Sequence, residues 1–445
     1  MGEKISRKGF AVALILLVSL VTVVSITPTI ANGWIKISGK FEYIDEFGVN
    51  QPMRQVKVRL MDNDTWECSS VDEEVAVQYT GDDGSYSFTV ENDDGVEGPR
   101  QTGPGRDPYI IVESSNIAAD VKSPSQVTYR LTLPMAGFNV DDGFDFDYGT
   151  VTPVSRNEAW QVLDAVLSVR NWIWGQVSWE RPAKVAIIWP SGRYPVSSGD
   201  RINLPDRSRW AWDRLSIYRL YGLSVLYTLY GNRFPSGWKA LPPHAVYLET
   251  NRTIAFVEGW AGFLQAAVDN NPDNLQGWHL GHGGNIETND WFNCIDMGDM
   301  DGNIVEGSIA SVFWDVWDPA NEPFDHLSLG FDEIFYIVRD YKTANFNAFW
   351  SRWRSRYPLS IGDLTTIAWM YGIDKDIFPP TGSIVINSGD TYATSTSVTL
   401  TISASDYGSG VANMRFTNRA AWPWGWSGWY LYTTSMGWTL TNGDG

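Results

Sequence analysis

"IYRLYGLSVLYTLYGNRFP", residues 217–235, decides how the middle of this 445-residue chain is read. It lies within SRWAWDRLSIYRLYGLSVLYTLYG, residues 208–231, where apolar side chains return every three or four positions. That spacing belongs to a helix with a buried face. One turn of it carries Arg219, Leu220 and Leu223. None of the three offers a lone pair to an ion.

The flanking sequence is helical as well. NEAWQVLDAVLSVRNWIWG (157–175), TIAFVEGWAGFLQAAVD (253–269), VEGSIASVFWDVWD (305–318) and GFDEIFYIVRDY (330–341) all repeat apolar residues at helical spacing, and AKVAIIWP (183–190) reads as a strand. Residues 156–376 therefore form a helix-rich α+β domain.

In a zinc peptidase helix, His, Glu and His stand at i, i+1 and i+4. Two imidazoles then reach one ion while the Glu polarises its bound water. Residues 156–358 resemble the gluzincins, metallopeptidases that take a third zinc ligand, a Glu, from a later helix. The resemblance is to exported members whose helix reads His-Glu-Tyr-Gly-His, followed by Leu-Tyr-Gly and Phe-Pro. Here the order is Arg219-Leu220-Tyr221-Gly222-Leu223, then Leu229-Tyr230-Gly231 and Phe234-Pro235. AFVEGWAGFL sets Glu258 at the third-ligand place, and VEGSIASVFWDVWD is similar to the closing helix of that family. The resemblance implies the fold and argues against the activity, because both histidines and the general base are replaced. Zinc is expected to be lost. Arg219 is expected to neutralise Glu258 through a guanidinium–carboxylate pair, with Leu223 filling the vacated space.

Other residues do not rebuild the site. The four histidines are His244, His279, His282 and His326; GWHLGHGGN spaces two of them by three, but its glycines mark a loop without an evident third ligand. DMGDMDGNIVEG offers Asp296, Asp299, Asp301, Asn303 and Glu306, oxygen donors that calcium accepts. It lacks the twelve-residue calcium loop and reads as a capping turn. No catalytic residue is expected. The residual metal candidates are Glu258 alone or the set Asp299, Asp301, Asn303 and Glu306. No nucleophile elbow or phosphate-cradling loop occurs.

Residues 34–133 alternate in short strands broken by Gly, Asp, Asn and Pro, as expected of a β-sandwich. Gly39-x-Phe41-x-Tyr43, Asp45-x-x-Gly48, VKVRLMD (56–62) and TGDDGSYSF (80–88) follow in order. This order resembles prealbumin-like, or carboxypeptidase-regulatory-like, domains, which implies a non-catalytic binding or spacer module. Residues 134–155, with Asp141, Asp142, Asp145 and Asp147, read as an acidic linker. Residues 380–445 alternate again, and DYGSGV (406–411) resembles the immunoglobulin-like repeats of archaeal and bacterial surface proteins. Four or five strands fall short of about seven, so this domain is expected to continue beyond Gly445, with further repeats or a membrane or cell-wall attachment. The expected architecture is multidomain: an N-terminal β-sandwich, a central zincin-like domain and an incomplete immunoglobulin-like sandwich.

Residues 1–31 carry Lys4, Arg7 and Lys8, an apolar run over 11–26 and the small-residue exit TPTIA. That is the pattern of a secretory signal, an uncleaved anchor being the alternative. The net charge of −19 repels phosphate backbones, so nucleic acid is not an expected partner. The two cysteines, Cys68 and Cys294, make no disulfide framework and are expected as buried thiols. Asn63 (NDT) and Asn251 (NRT) are glycosylation sequons. Of 23 tryptophans, WPWGWSGWY (422–430) packs four into one short stretch that could face a glycan. The expected function is that of an exported, non-catalytic pseudo-metallopeptidase that binds extracellular proteins or polysaccharides at a cell surface. Two readings remain beside it: a hydrolase with atypical metal ligands, and a carbohydrate-binding surface protein.

Overall fold

Alternation along Trp34–Ile44 makes the first strand, β1, with Ile35, Ile37, Phe41 and Tyr43 turned inward. The computed structural model describes residues 33–64, 72–93, 105–192, 194–205, 209–239, 246–276, 283–287, 301–319, 326–375, 380–406, 411, 413–418 and 427–441. The expected leader, both cysteines and all histidines except His326 lie outside these residues. Strands β2 (Asn50–Pro52), β3 (Val56–Asp62), β4 (Glu73–Tyr79), β5 (Ser85–Glu91), β6 (Pro108–Asn116), β7 (Ala119–Lys122), β8 (Arg130–Thr132) and β9 (Asp145–Val151) follow. In one sheet β1 runs antiparallel to β2 and β5 and parallel to β9. At the turn before β5, Gly84 has φ +84°, and a Cβ there would stand 2.3 Å from the Phe41 carbonyl oxygen. Only glycine fits that approach.

Next come α1 (Asn157–Val177), β10 (Val185–Ile188), β11 (Val196–Ser197), β12 (Arg201–Asn203), α2 (Arg209–Trp212) and α3 (Arg214–Leu229). The remaining helices are α4 (Arg252–Asp269), α5 (Glu306–Trp317), α6 (Phe331–Tyr341), α7 (Phe346–Arg356) and α8 (Ile361–Met370). The architecture is a mixture of sheets and helices. The second sheet runs β11–β12–β10–β7–β6–β3–β4, with β8 also on β6.

That sheet crosses the expected boundary between sandwich and helical domain. Val185–Ile188 pairs in parallel with Ala119–Lys122, so strands from both regions share one ladder. Val185, Ile187 and Ile188 are buried, on both faces of β10, and suit the interior of a sheet. Helix α1 packs on β6 and β7. Asp164 on α1 receives Arg54 at 2.5 Å and Arg214 at 3.0 Å, and Asn116 Nδ2 donates to the Leu163 carbonyl at 3.0 Å. One hydrophobic core includes Phe41, Val58, Val112, Val166, Ile187, Leu226 and Phe256.

The expected linker also departs from its reading. GFDFDYGTV contains β9, paired with β1 from Lys36↔Asp145 to Phe41↔Val151. Phe144, Phe146 and Tyr148 pack against the core, while Asp145 and Asp147 face solvent. Four acids suggested a solvated linker, but the alternation of aromatic and acid is that of a half-buried strand.

Towards the C-terminus, strands Thr381–Ile386, Ser397–Ser405 and Ser435–Thr439 form an antiparallel sheet. Asn413–Met414 pairs with Tyr430–Leu431. A small core gathers Val398, Leu400, Ile402, Met414 and Phe416. Trp429 is exposed beneath the Arg415 guanidinium, 4.5 Å from its ring centre; Trp422, Trp424 and Trp426 lie outside the described residues.

Candidate functional site

Helix α3 starts where Asp213 accepts the Ser216 amide at 3.1 Å, and it then runs through the protein interior. Burial pushes the Tyr221 hydroxyl up to about 12, so this helix carries a neutral phenol at ordinary pH. Asn251 starts α4 by accepting the amides of Thr253 and Ile254, both at 2.9 Å. This satisfies donors that a helix start leaves open.

The two helices and the first turn of α5 meet around one side chain. Arg219 Nη2 donates to Glu258 Oε2 at 3.0 Å and to Glu306 Oε2 at 2.9 Å. All three residues are at most 3% exposed. The second oxygen of Glu258 accepts Trp238 Nε1 at 3.1 Å. Trp238 stacks on Phe234 at 3.7 Å between ring centres, and Phe234 lies against Tyr227 of α3. The segment after the Leu-Tyr-Gly turn thus folds back over the site. Burial opposes the charge on Arg219, but Glu306 and then Glu258 more than offset it, and the guanidinium holds its proton more tightly than usual.

Close helix packing makes this meeting feasible. A Cβ at Gly259 would lie 2.6 Å from Ile309 Cβ and 2.7 Å from the Glu306 carbonyl oxygen. Glycine lets α4 approach the start of α5, where the two carboxylates must share one nitrogen. Gly259→Ala should therefore destabilise the chain by about 1–3 kcal/mol through overpacking. Denaturant unfolding followed by tryptophan fluorescence measures this; an unchanged midpoint would show that the helices separate at no cost.

The positions expected from the zinc motif are all in this place. Leu220 and Leu223 are buried in the core beside Arg219, and Glu258 faces the guanidinium. A zinc ion does not fit this set, because Leu223 supplies no donor at one histidine place, Arg219 presents N–H groups and positive charge at the other, and Glu258 is left as the one family ligand. Among the described residues no group of three or more His, Cys, Asp or Glu could hold a metal.

The acidic set is divided. Asp301 caps the short turn Gly302–Ile304, accepting the Asn303 amide at 3.0 Å, and Asn303 Nδ2 donates to it at 2.6 Å. Glu306 turns instead to Arg219, while Asp296 and Asp299 lie outside the described residues. His326 is exposed. Asn251 Nδ2, the atom a glycan would take, donates to the Gly237 carbonyl at 3.2 Å. Asn63 is half-buried, its amide bonded to the Asp107 carbonyl at 3.2 Å.

Sequence reasoning missed the role of Glu306 and the roof formed by Trp238. A signal for the first was present: Val257-Glu258-Gly259 recurs as Val305-Glu306-Gly307. Both glutamates reach the same nitrogen.

Residues 190–371, which contain all of this site, match the family described as the Mycolysin C-terminal domain. The match associates this stretch with a metallopeptidase family. It spans less than half of the chain. No curated protein matches. Among solved structures, a 9R-lipoxygenase from Cyanothece aligns over 78% of this chain and 68% of its own at 10% identity, with a TM-score of 0.21.

Proposed function

We propose that this chain is an exported, non-catalytic relative of zinc peptidases that works as a binding or adhesion protein at a cell surface. The observation that carries the reading is Arg219 seated between Glu258 and Glu306, with both N–H···O contacts at 3.0 Å or less. A guanidinium there fills the electrostatic role of a cation without accepting a water molecule for deprotonation. Leu220 leaves no general base beside it. The leader-like start and the association of Mycolysin-type domains with secreted proteases support an extracellular location. No helix among the described residues is long and apolar enough to cross a membrane.

The test combines metal content with hydrolysis. Purified protein dialysed against micromolar zinc should retain far less than one equivalent, and it should release no peptide from casein in a chelator-sensitive way. Stoichiometric zinc with cleavage that a chelator abolishes would instead establish the hydrolase reading.

A further inference from the structure

Away from the helices, the large sheet carries an open cavity of about 480 Å³ on its outer face. Register assembles its lining. Lys57 on β3 is the cross-strand partner of Tyr79 on β4, Glu113 on β6 faces Arg130 on β8, and Ser115 on β6 faces Asp120 on β7. Lys122 and Lys184 complete the basic side.

Positive charge exceeds what the local acids need. Glu113 is ringed by Arg130 at 3.0 Å, Lys57 at 3.2 Å and Arg59 at 3.3 Å. Asp120 receives Lys184 at 3.4 Å and Lys122 at 3.7 Å. Four cationic side chains and two carboxylates line the cavity. In a chain of net charge −19 this local excess of cations is of the opposite sign to the whole.

The mixture of groups identifies the ligand chemistry. Tyr79 is 44% exposed and offers a ring face, with Lys184 Nζ 5.9 Å from its centre. Ser115, Asp120 and Gln126 add hydrogen-bonding groups. A dense phosphate chain would use the cations but be repelled by Asp120. A sugar acid uses everything present: carboxylate on ammonium, hydroxyl on carboxylate, and ring C–H on the aromatic face. We propose that this cavity binds an acidic saccharide through uronate-type carboxylates. The proposal deepens the binding-protein reading at a place remote from Arg219, so its failure leaves the metal and cleavage tests unaffected.

Titration calorimetry of the full chain at low salt provides the test, with tetragalacturonate, cellotetraose and sodium sulfate as separate probes. Tetragalacturonate should bind at one site and cellotetraose should not. Lys122→Gln with Lys184→Gln should weaken binding by about tenfold or more, with an unchanged unfolding midpoint. Arg130→Gln, at the exposed rim, supplies an independent loss if the double variant folds poorly. Tyr79→Ala should weaken the sugar acid further than it weakens sulfate. Absence of tetragalacturonate binding, binding that survives the charge variants, or sulfate bound as tightly as the oligosaccharide would each overturn the proposal.

Discussion

Arg219→Leu is expected to cost the helical region about 3–5 kcal/mol, the range for breaking a buried ion pair from one side. The loss arises from what remains: Glu258 and Glu306 would sit in the core, each at most 3% exposed, with their shared cation gone. Denaturant unfolding followed by tryptophan fluorescence reads the effect, since Trp238 donates directly to Glu258. Adding Glu258→Gln and Glu306→Gln to Arg219→Leu should recover much of the loss, because a neutral buried set avoids the charge penalty. A deficit below about 1 kcal/mol at neutral pH would mean that the triad is solvated and contributes as little as a surface pair.

The second large effect is a gain. Arg219→His, Leu220→Glu and Leu223→His together place two imidazoles one turn apart on α3, facing the carboxylate of Glu258. The triple variant should bind zinc stoichiometrically at micromolar metal, measured by calorimetry or by metal content after dialysis, where the parent protein should retain far less than one equivalent. Glu306 would remain within reach of the imidazole introduced at position 219. A carboxylate behind a ligating imidazole fixes its orientation and raises its basicity. Glu258→Ala in the same background should abolish the gain. Failure of the folded triple variant to take up zinc would remove the proposed ancestry of this cleft, whatever the stability of Arg219.

Much of this arrangement was legible from spacing. The helical period around Arg219, the strand alternation of Trp34–Ile44 and the carboxylate of Glu258 all follow from local pattern. Three things were not. Residues 145–151 were hidden by composition, since four aspartates outweighed the aromatic alternation between them. Ala119–Lys122 is too short to show a period, yet it is the strand on which β10 docks. The pairing of Val185–Ile188 with it depends on residues 66 positions away along the ladder Val185↔Ala119, and no local pattern encodes a partner. Glu306 illustrates the same limit within the site. Its oxygen donors suggested a loop cation, while tertiary packing through Gly259 brought it to a guanidinium.

The parallel pairing of β1 with β9 has a mechanical consequence. Chain pulled outward from Trp34 and from Val151 leaves this ladder at opposite ends, because both strands point the same way. Tension therefore loads the hydrogen bonds between Lys36 and Val151 together, in shear, rather than peeling them apart one after another. Strands β2, β3, β4, β6, β7 and β8 lie outside that load path until the clamp yields. Such a joint resists force just before the helices begin at Asn157.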